Sequence, residues 1–196
     1  MTDSFRFDVI AAGFSGDSSV ALDALHHDDG TVRASALRAL ARIGTLTAEI
    51  LAPYIQDSHI ETRRTAVELA VPFSSVTVHQ CIDDPDVFVA EMAAWCVGER
   101  TTASDIEIKT LIDRTTSHSE AVVREACAAA LGSLGDERGL PAILAACSDK
   151  PAVRRRAILA LAPFEGDEVD AALQRALEDK DWQVRQNAED LLNPRS

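Results

Sequence analysis

Arginines and acidic residues recur along this chain of 196 residues at a spacing that would suit ionic chemistry. A planar guanidinium group can bridge two carboxylates, or it can bind a phosphate or another polyanion. The recurrence alone leaves both interpretations open. The arginines are Arg33, Arg63, Arg124, Arg154 and Arg185, with Ala90 in place of one member, and the acids shortly before these positions are Asp29, Asp57, Asp86, Glu120, Asp149 and Asp181.

Histidines and cysteines are the other residues that could do chemistry, and they form no recognisable catalytic motif. The chain has no H-E-x-x-H, G-x-S-x-G, Walker or G-x-G-x-x-G sequence. The run His26-His27-Asp28-Asp29 could hold a metal loosely, but a solvated turn is the simpler interpretation. We therefore predict no catalytic residue, no bound metal and no cofactor. The cysteines, Cys81, Cys96, Cys127 and Cys147, form no C-x-x-C pair, and small thiols in a reducing compartment are expected.

A helical pattern positions the recurring arginines, and it is clearest between Val123 and Gly135. Apolar residues follow the start of this stretch at spacings of 4, 7, 8 and 11 residues, which places them on one side of a helix. The stretch is rich in alanine and contains no proline, so helix propensity agrees with the pattern. Gly135 stands where a glycine commonly ends a helix.

The same frame begins again at residues 32, 62, 89, 153 and 184, and a shorter helical pattern precedes each copy. We call the shorter pattern helix A and the frame helix B. A period of this length is typical of stacked supersecondary units, which form a continuous core only by packing on their neighbours. We predict one domain over 1–196, with a cap at 1–16 and units at about 17–44, 45–74, 75–100, 101–135, 136–166 and 167–193. The predicted core includes Val32, Ala36, Leu40, Val123, Cys127, Leu131, Val153, Ala157 and Leu161.

Helix B, with its V-R-x-x-A-x-x-x-L pattern and the acidic turn before it, resembles HEAT repeats over nearly the whole chain. The closest resemblance is to the short HEAT-like repeats of phycobilisome lyases. It implies an all-α, right-handed α-solenoid, a superhelix of about six helix pairs with an N-terminal capping helix. It also implies a structural ladder in which arginines and acids of adjacent units pair. The ladder positions are Asp29, Arg33, Arg63, Asp86, Arg124, Arg154, Asp181 and Arg185.

In HEAT-like stacks helix B lines the concave surface, so its non-core positions would face a partner. In this frame those are +2, +3, +6 and +10. They place Trp95 and Met92 at an apolar centre with charged residues around it, although Trp95 could equally be ordinary groove lining. The predicted partner-binding residues are Arg38, Arg64, Glu68, Glu91, Met92, Trp95, Glu125, Arg155, Arg156 and Leu159; Ala34, Ser35, Thr65 and Arg42 also fall at outward positions.

Composition limits the function further. The net charge of −13 and pI of about 4.7 disfavour nonspecific binding to nucleic acid. No apolar run is long enough for a membrane helix, and the N-terminus lacks the order of a signal peptide, so we expect a cytoplasmic protein. We predict a non-enzymatic module or scaffold that binds a protein or peptide with acidic and apolar residues on its concave surface. The alternatives are a phycobilisome-lyase-like or chaperone role, and nucleic-acid binding like that of HEAT-like DNA glycosylases.

Overall fold

The computed structural model describes residues 2–193, with side chains from Ser4 onward, and these residues form helices and connecting turns without a strand. The α-helices are α1 (Thr2–Ser15), α2 (Ser18–Ala24), α3 (Gly30–Ile43), α4 (Ala48–Leu51), α5 (Ile60–Leu69), α6 (Val87–Gly98), α7 (Asp105–Ser117), α8 (Ala121–Leu134), α9 (Leu140–Ala146), α10 (Pro151–Ala160), α11 (Asp167–Ala176) and α12 (Trp182–Leu192). Three 3₁₀ helices cover Ala52–Gln56, His79–Asp83 and Glu137–Gly139. After α1, the elements form six A/B pairs, the arrangement of an α-solenoid. No helix of this described part is long and apolar enough to cross a bilayer.

Two compact units make up the chain, Met1–Cys96 and Val97–Ser196, and the boundary falls within α6. In the first unit α3 packs against α1, α2 and α5. In the second unit α8 packs against α7, α9 and α10, and α10 also packs against α12. The B helices therefore form the centre of each unit. The single domain over 1–196 stays a prediction.

The apolar frame of helix B is confirmed as the core. All nine predicted core residues are fully or almost fully buried, including Leu40, Leu131 and Leu161. The buried surface is wider than predicted, because the residue at +5 is also buried in five B helices. A helix that packs against its own helix A and against neighbouring B helices buries more than one narrow stripe. These additional core residues are Leu37, Val67, Ala94, Ala128 and Ile158.

The second and third pairs are irregular, and prolines account for this in the second pair. Pro53 lies in the first turn of the 3₁₀ helix that continues α4, so helix A of the second pair is only partly α-helical. α5 ends at Leu69, ahead of Pro72. Helix A of the third pair is reduced to the 3₁₀ helix His79–Asp83. The third pair then ends with Arg100, which is buried and forms an ion pair with Glu107. The first, second, fourth and fifth pairs have an apolar residue at this position.

The first helix covers α3 but leaves aromatic residues exposed. Val9 and Ala12 of α1 are buried, and the backbone at Gly13 lies against Ala39 of α3. Phe7 is 71% exposed and Phe14 is 70% exposed. α1 therefore covers α3, as the predicted capping helix would, and leaves two phenylalanines accessible.

Candidate protein-binding surface

Four of the recurring arginines each join two successive turns. Arg124 shows the arrangement: its Nε and Nη2 donate to the two carboxylate oxygens of Asp149 at 2.6 and 2.9 Å. Its Nη1 donates to the backbone carbonyls of His118 and Ser119 in the turn before its own helix. One guanidinium group thus holds the turn of its own pair to the turn of the next pair. The equivalent ion pairs are Arg33–Asp57, Arg63–Asp84 and Arg154–Asp179.

The acceptor carboxylates lie earlier in the turn than the ladder prediction placed several of them. Asp84, not Asp86, receives Arg63, and Asp179, not Asp181, receives Arg154. Asp57 and Asp179 stand two residues before the N-caps of α5 and α12, and Asp149 stands one residue before that of α10. Each carboxylate also accepts a backbone N–H, as that of Asp179 does from Asp181. The expected ladder acids Asp29, Asp86 and Asp181 instead accept N–H bonds from the first turns of α3, α6 and α12. Asp29 and Asp86 therefore act as N-caps rather than as ladder acceptors, whereas Asp181 both caps α12 and accepts Arg155 of the preceding pair.

The ladder is interrupted where histidine replaces the acceptor aspartate. His27 and His118 stand two residues before an N-cap, and the Nδ1 of each accepts a backbone N–H. The ring of Phe5 stacks on His27 at 5.6 Å, while Arg6 turns away and donates from Nε to Ser35 Oγ. At the last pair, Arg185 bonds the carbonyls of its own turn, but within residues 4–193 no carboxylate pairs with it.

Ion pairing also sets the pKa values of the ladder acids. The hydrogen bonds from Arg124 hold the pKa of Asp149 below its ordinary value, and those from Arg154 do the same for Asp179. For Asp57 burial raises the pKa, but the bonds from Arg33 and a backbone N–H outweigh it and leave the pKa lowered. The paired arginine side chains are only 10–18% exposed. These guanidinium groups are occupied within the fold, which argues against their use as a polyanion-binding stripe.

At the +6 position of helix B, large apolar side chains are exposed on the outward side. Trp95 on α6 and Leu159 on α10 occupy this position, and each is 43% exposed. Met92 and Glu91 are partly exposed. In the first pair the expectation fails at +2 and +3, because Ala34 and Ser35 are buried where α1 packs along α3. In the second pair Thr65 at +3 is buried, whereas Arg64 at +2 is exposed as expected.

In the first unit, the outward charges are partly paired. Arg38 donates to Glu61 at 3.2 Å and to Glu68 at 3.3 Å, and all three side chains are half exposed. Arg64 is exposed and forms no ion pair with the described carboxylates. This surface is therefore mixed in sign, as a protein-binding rim usually is.

The second unit repeats the mixed-charge arrangement around Leu159. Arg156 approaches Glu125 at 3.6 Å. Arg155 forms a two-point ion pair with Asp181, which holds the pKa of Asp181 at about 2. Arg155, predicted to bind a partner, is thus engaged with the N-cap of α12. The predicted single patch centred on Trp95 draws on both units and stays a prediction.

The groove between α1 and α3 in the first unit was not predicted from the sequence. Arg6, Ile10 and Phe14 of α1 face Arg38 and Arg42 of α3 across a cavity of about 220 Å³. The guanidinium carbon of Arg42 lies 4.2 Å from the centre of the Phe14 ring. The outward +10 position of Arg42 was a sequence signal for this groove, but residues 1–16 were interpreted only as a cap.

Known proteins resemble this chain in repeat architecture. The family model described as HEAT repeats matches residues 108–193. No curated protein matches the chain. Among solved structures, YibA of Escherichia coli has a TM-score of 0.66 at 16% identity, over 95% of this chain and 74% of that chain.

Two further structures extend the likeness. A designed armadillo repeat protein in complex with the peptide (KR)4 has a TM-score of 0.62 at 16% identity, over 88% of this chain and 96% of its own. The complex of CpcE and CpcF of phycocyanin lyase from Nostoc sp. PCC7120 has a TM-score of 0.60 at 20% identity, over 89% of this chain and 75% of that chain. At these identities the likeness shows the fold alone.

Proposed function

We propose that this chain, a HEAT-like repeat protein, is a non-enzymatic module that binds a protein or peptide on the outward side of its B helices. The observation that carries the proposal is the exposure of large apolar side chains at one position of the frame. Trp95 and Leu159 both stand at +6, and each is 43% exposed beside a core that is otherwise closed. Burial of these apolar side chains against a partner would be favourable, and tryptophan is enriched among the residues that contribute most of the energy of an interface.

The charged residues near these positions support a protein partner. Arg38 with Glu61 and Glu68, and Arg156 with Glu125, place charges of both signs on the outward side of the B helices. Charged groups of this kind select and orient a partner, while the apolar residues supply most of the affinity. A partner with acidic and apolar residues would suit the unpaired Arg64 and the exposed Trp95.

Solved relatives of the same fold are consistent with this role. One is a designed protein with a bound peptide, and another is a complex of two different chains. The lyase-like or chaperone alternative rests on fold likeness alone. Nucleic-acid binding is disfavoured by the net charge of −13 and by the mixed sign of the charges around Arg38.

The cytoplasm remains our proposed location. The four cysteines are free, and three of them are buried, as is common for thiols in a reducing compartment.

Trp182 allows a matched test of the binding proposal. It is 64% exposed but lies in the first turn of α12, away from the +6 position. Wild type, Trp95→Ala and Trp182→Ala would each be immobilised and used to capture proteins from an extract of the source organism. We expect Trp95→Ala to lose partners that wild type and Trp182→Ala retain, with the melting temperatures of all three nearly equal. Equal capture by the two variants, or a large loss of stability in Trp95→Ala alone, would contradict the proposed site.

A further inference from the structure

We infer that the groove between α1 and α3 binds an extended acidic peptide with an apolar residue between two carboxylates. The inference rests on the proposed function, since it assigns the class of peptide that one part of the molecule would accept. It concerns a site of its own, within the first unit and separate from Trp95. The evidence is the combination of an apolar floor with guanidinium groups at both ends of the groove.

Ile10, Phe14 and Ala39 give the groove its apolar surface. Ile10 is 39% exposed and Phe14 is 70% exposed, so their side chains are accessible to a ligand. The two residues are one helical turn apart on α1 and share one side of it. α1 can lie close to α3 because Gly13 faces Ala39, where a Cβ would stand 3.0 Å from the Ala39 Cα.

Arg6 and Arg42 stand at opposite ends of this surface. Arg6 is held by a bond from its Nε to Ser35 Oγ at 3.1 Å, and Ser35 in turn donates to the carbonyl of Thr31. Arg42 lies over the ring of Phe14. Among residues 4–193 no carboxylate pairs with either guanidinium, so both have donors to offer. Each side chain is also already positioned, which lowers the entropy lost on binding.

The spacing of these groups defines the ligand. Arg6 and Phe14 are eight positions apart on α1, or about 12 Å along the helix axis. An extended peptide advances about 3.3 Å per residue, so side chains at its first and fifth positions would span about 13 Å on one side of the strand. The third side chain points the same way and would reach Ile10. The expected motif is acid–x–apolar–x–acid.

Charge complementarity selects this occupant over others. In a protein with a net charge of −13, a groove whose lining contains three arginines and no acid would attract carboxylates. Arg38, the third arginine, is already paired with Glu61 and Glu68. A nucleic acid would meet those two acids as well, and its evenly spaced phosphates would not match an apolar floor between two cationic ends.

A fluorescein-labelled peptide, Gly-Glu-Ser-Leu-Ser-Glu-Gly, tests the inference by fluorescence polarisation with the full chain. Two control peptides replace both glutamates by lysine, or the leucine by serine. We expect saturable binding of the first peptide and binding at least tenfold weaker for each control. Arg42→Gln should weaken binding of the first peptide at least tenfold. Arg175→Gln, an exposed arginine of the second unit, should leave it unchanged.

A charge exchange gives the sharpest outcome. The double variant Arg6→Glu/Arg42→Glu should lose the glutamate peptide and bind the lysine peptide instead. Absence of saturable binding by wild type, equal effects of Arg42→Gln and Arg175→Gln, or failure of the exchange in a folded double variant would overturn the inference. The proposed function would survive these results if Trp95→Ala still abolished partner capture. If the peptide binds as expected and Trp95→Ala captures normally, the Trp95 site fails instead.

Discussion

Gly132 of α8 lies directly against Ala160 of α10, so that a Cβ on residue 132 would stand 2.6 Å from the Cα of Ala160. Gly98 meets Ala130 in the same way, with its Cβ position 2.7 Å from the Ala130 Cα. In both cases the glycine is at +9 of one B helix and the alanine is at +7 of the next. Small residues at these two positions let successive backbones approach closely.

The first prediction concerns this contact. Gly132→Ala should destabilise the fold by about 1–3 kcal/mol, because an added methyl group must push α8 away from α10. The loss should appear despite the gain of about 1 kcal/mol that alanine brings to a helix interior. Ser133→Ala is the matched control, since Ser133 is the exposed neighbour in the same helix. Urea unfolding followed by circular dichroism measures both, and equal stabilities would contradict the contact.

Periodicity predicts the B helices well because the core residues repeat along the chain. It does not predict the close contacts of Gly98 and Gly132, because a glycine inside a helix is ordinarily interpreted only as a loss of propensity. The +5 residues, such as Leu37 and Ile158, were also missed. A single stripe describes a helix that packs on one side, whereas these helices pack on several neighbours.

The ladder shows a second limit of the sequence. The arginine column is visible at +1 of the frame, but each turn contains several acids, and the choice between Asp84 and Asp86 depends on turn geometry. Asp84 accepts Arg63 and the backbone N–H of Asp86, and Asp86 caps α6. Of these two aspartates, one pairs with the arginine and the other caps the helix. Composition and spacing alone do not show which aspartate has which role.

The second prediction is a pH-dependent coupling between Arg124 and Asp149. A double-mutant cycle with Arg124→Gln and Asp149→Asn should give a coupling of about 1.5–3 kcal/mol at neutral pH, the range for hydrogen bonds to charged groups. The pKa of Asp149 is lower in the folded state than its ordinary value of 3.8. The stabilisation is therefore present above about pH 4 and is lost as the pH falls through the lower folded pKa.

Denaturation at a series of pH values measures this coupling. The exposed pair Arg138–Asp105, at 2.8 Å, is the control and should show a smaller coupling, because solvent screens it. A coupling for Arg124–Asp149 that stays unchanged at a pH well below the folded pKa would mean that it does not depend on the charge of the carboxylate.

The third prediction concerns the buried ion pair of Arg100 and Glu107. Their side chains are only 2% and 7% exposed, and Glu107 also accepts from the backbone N–H and hydroxyl of Ser104. Glu107→Ala should cost about 3–5 kcal/mol, because it leaves the arginine charge buried without this partner. Replacing both residues, as in Arg100→Met/Glu107→Leu, should recover most of the loss but not the capping bonds from Ser104. Thermal unfolding of both variants checks this, and a double variant less stable than Glu107→Ala would be inconsistent with it.

The last prediction compares two leucines near the end of α10 that differ in position rather than in chemistry. Leu161 is 1% exposed and belongs to the core frame, so Leu161→Ala should destabilise the fold by about 2–5 kcal/mol through lost burial and the resulting cavity. Leu159 is 43% exposed at the +6 position, so Leu159→Ala should change stability by less than about 0.5 kcal/mol. If Leu159 belongs to the binding surface, its variant should nevertheless capture less of a partner that engages the second unit. Chemical denaturation gives the stabilities, and capture by equal amounts of folded protein gives the binding. A stable Leu161→Ala variant would mean that the frame is misassigned, whereas a destabilised Leu159→Ala variant with unchanged capture would place Leu159 in the core rather than at the interface.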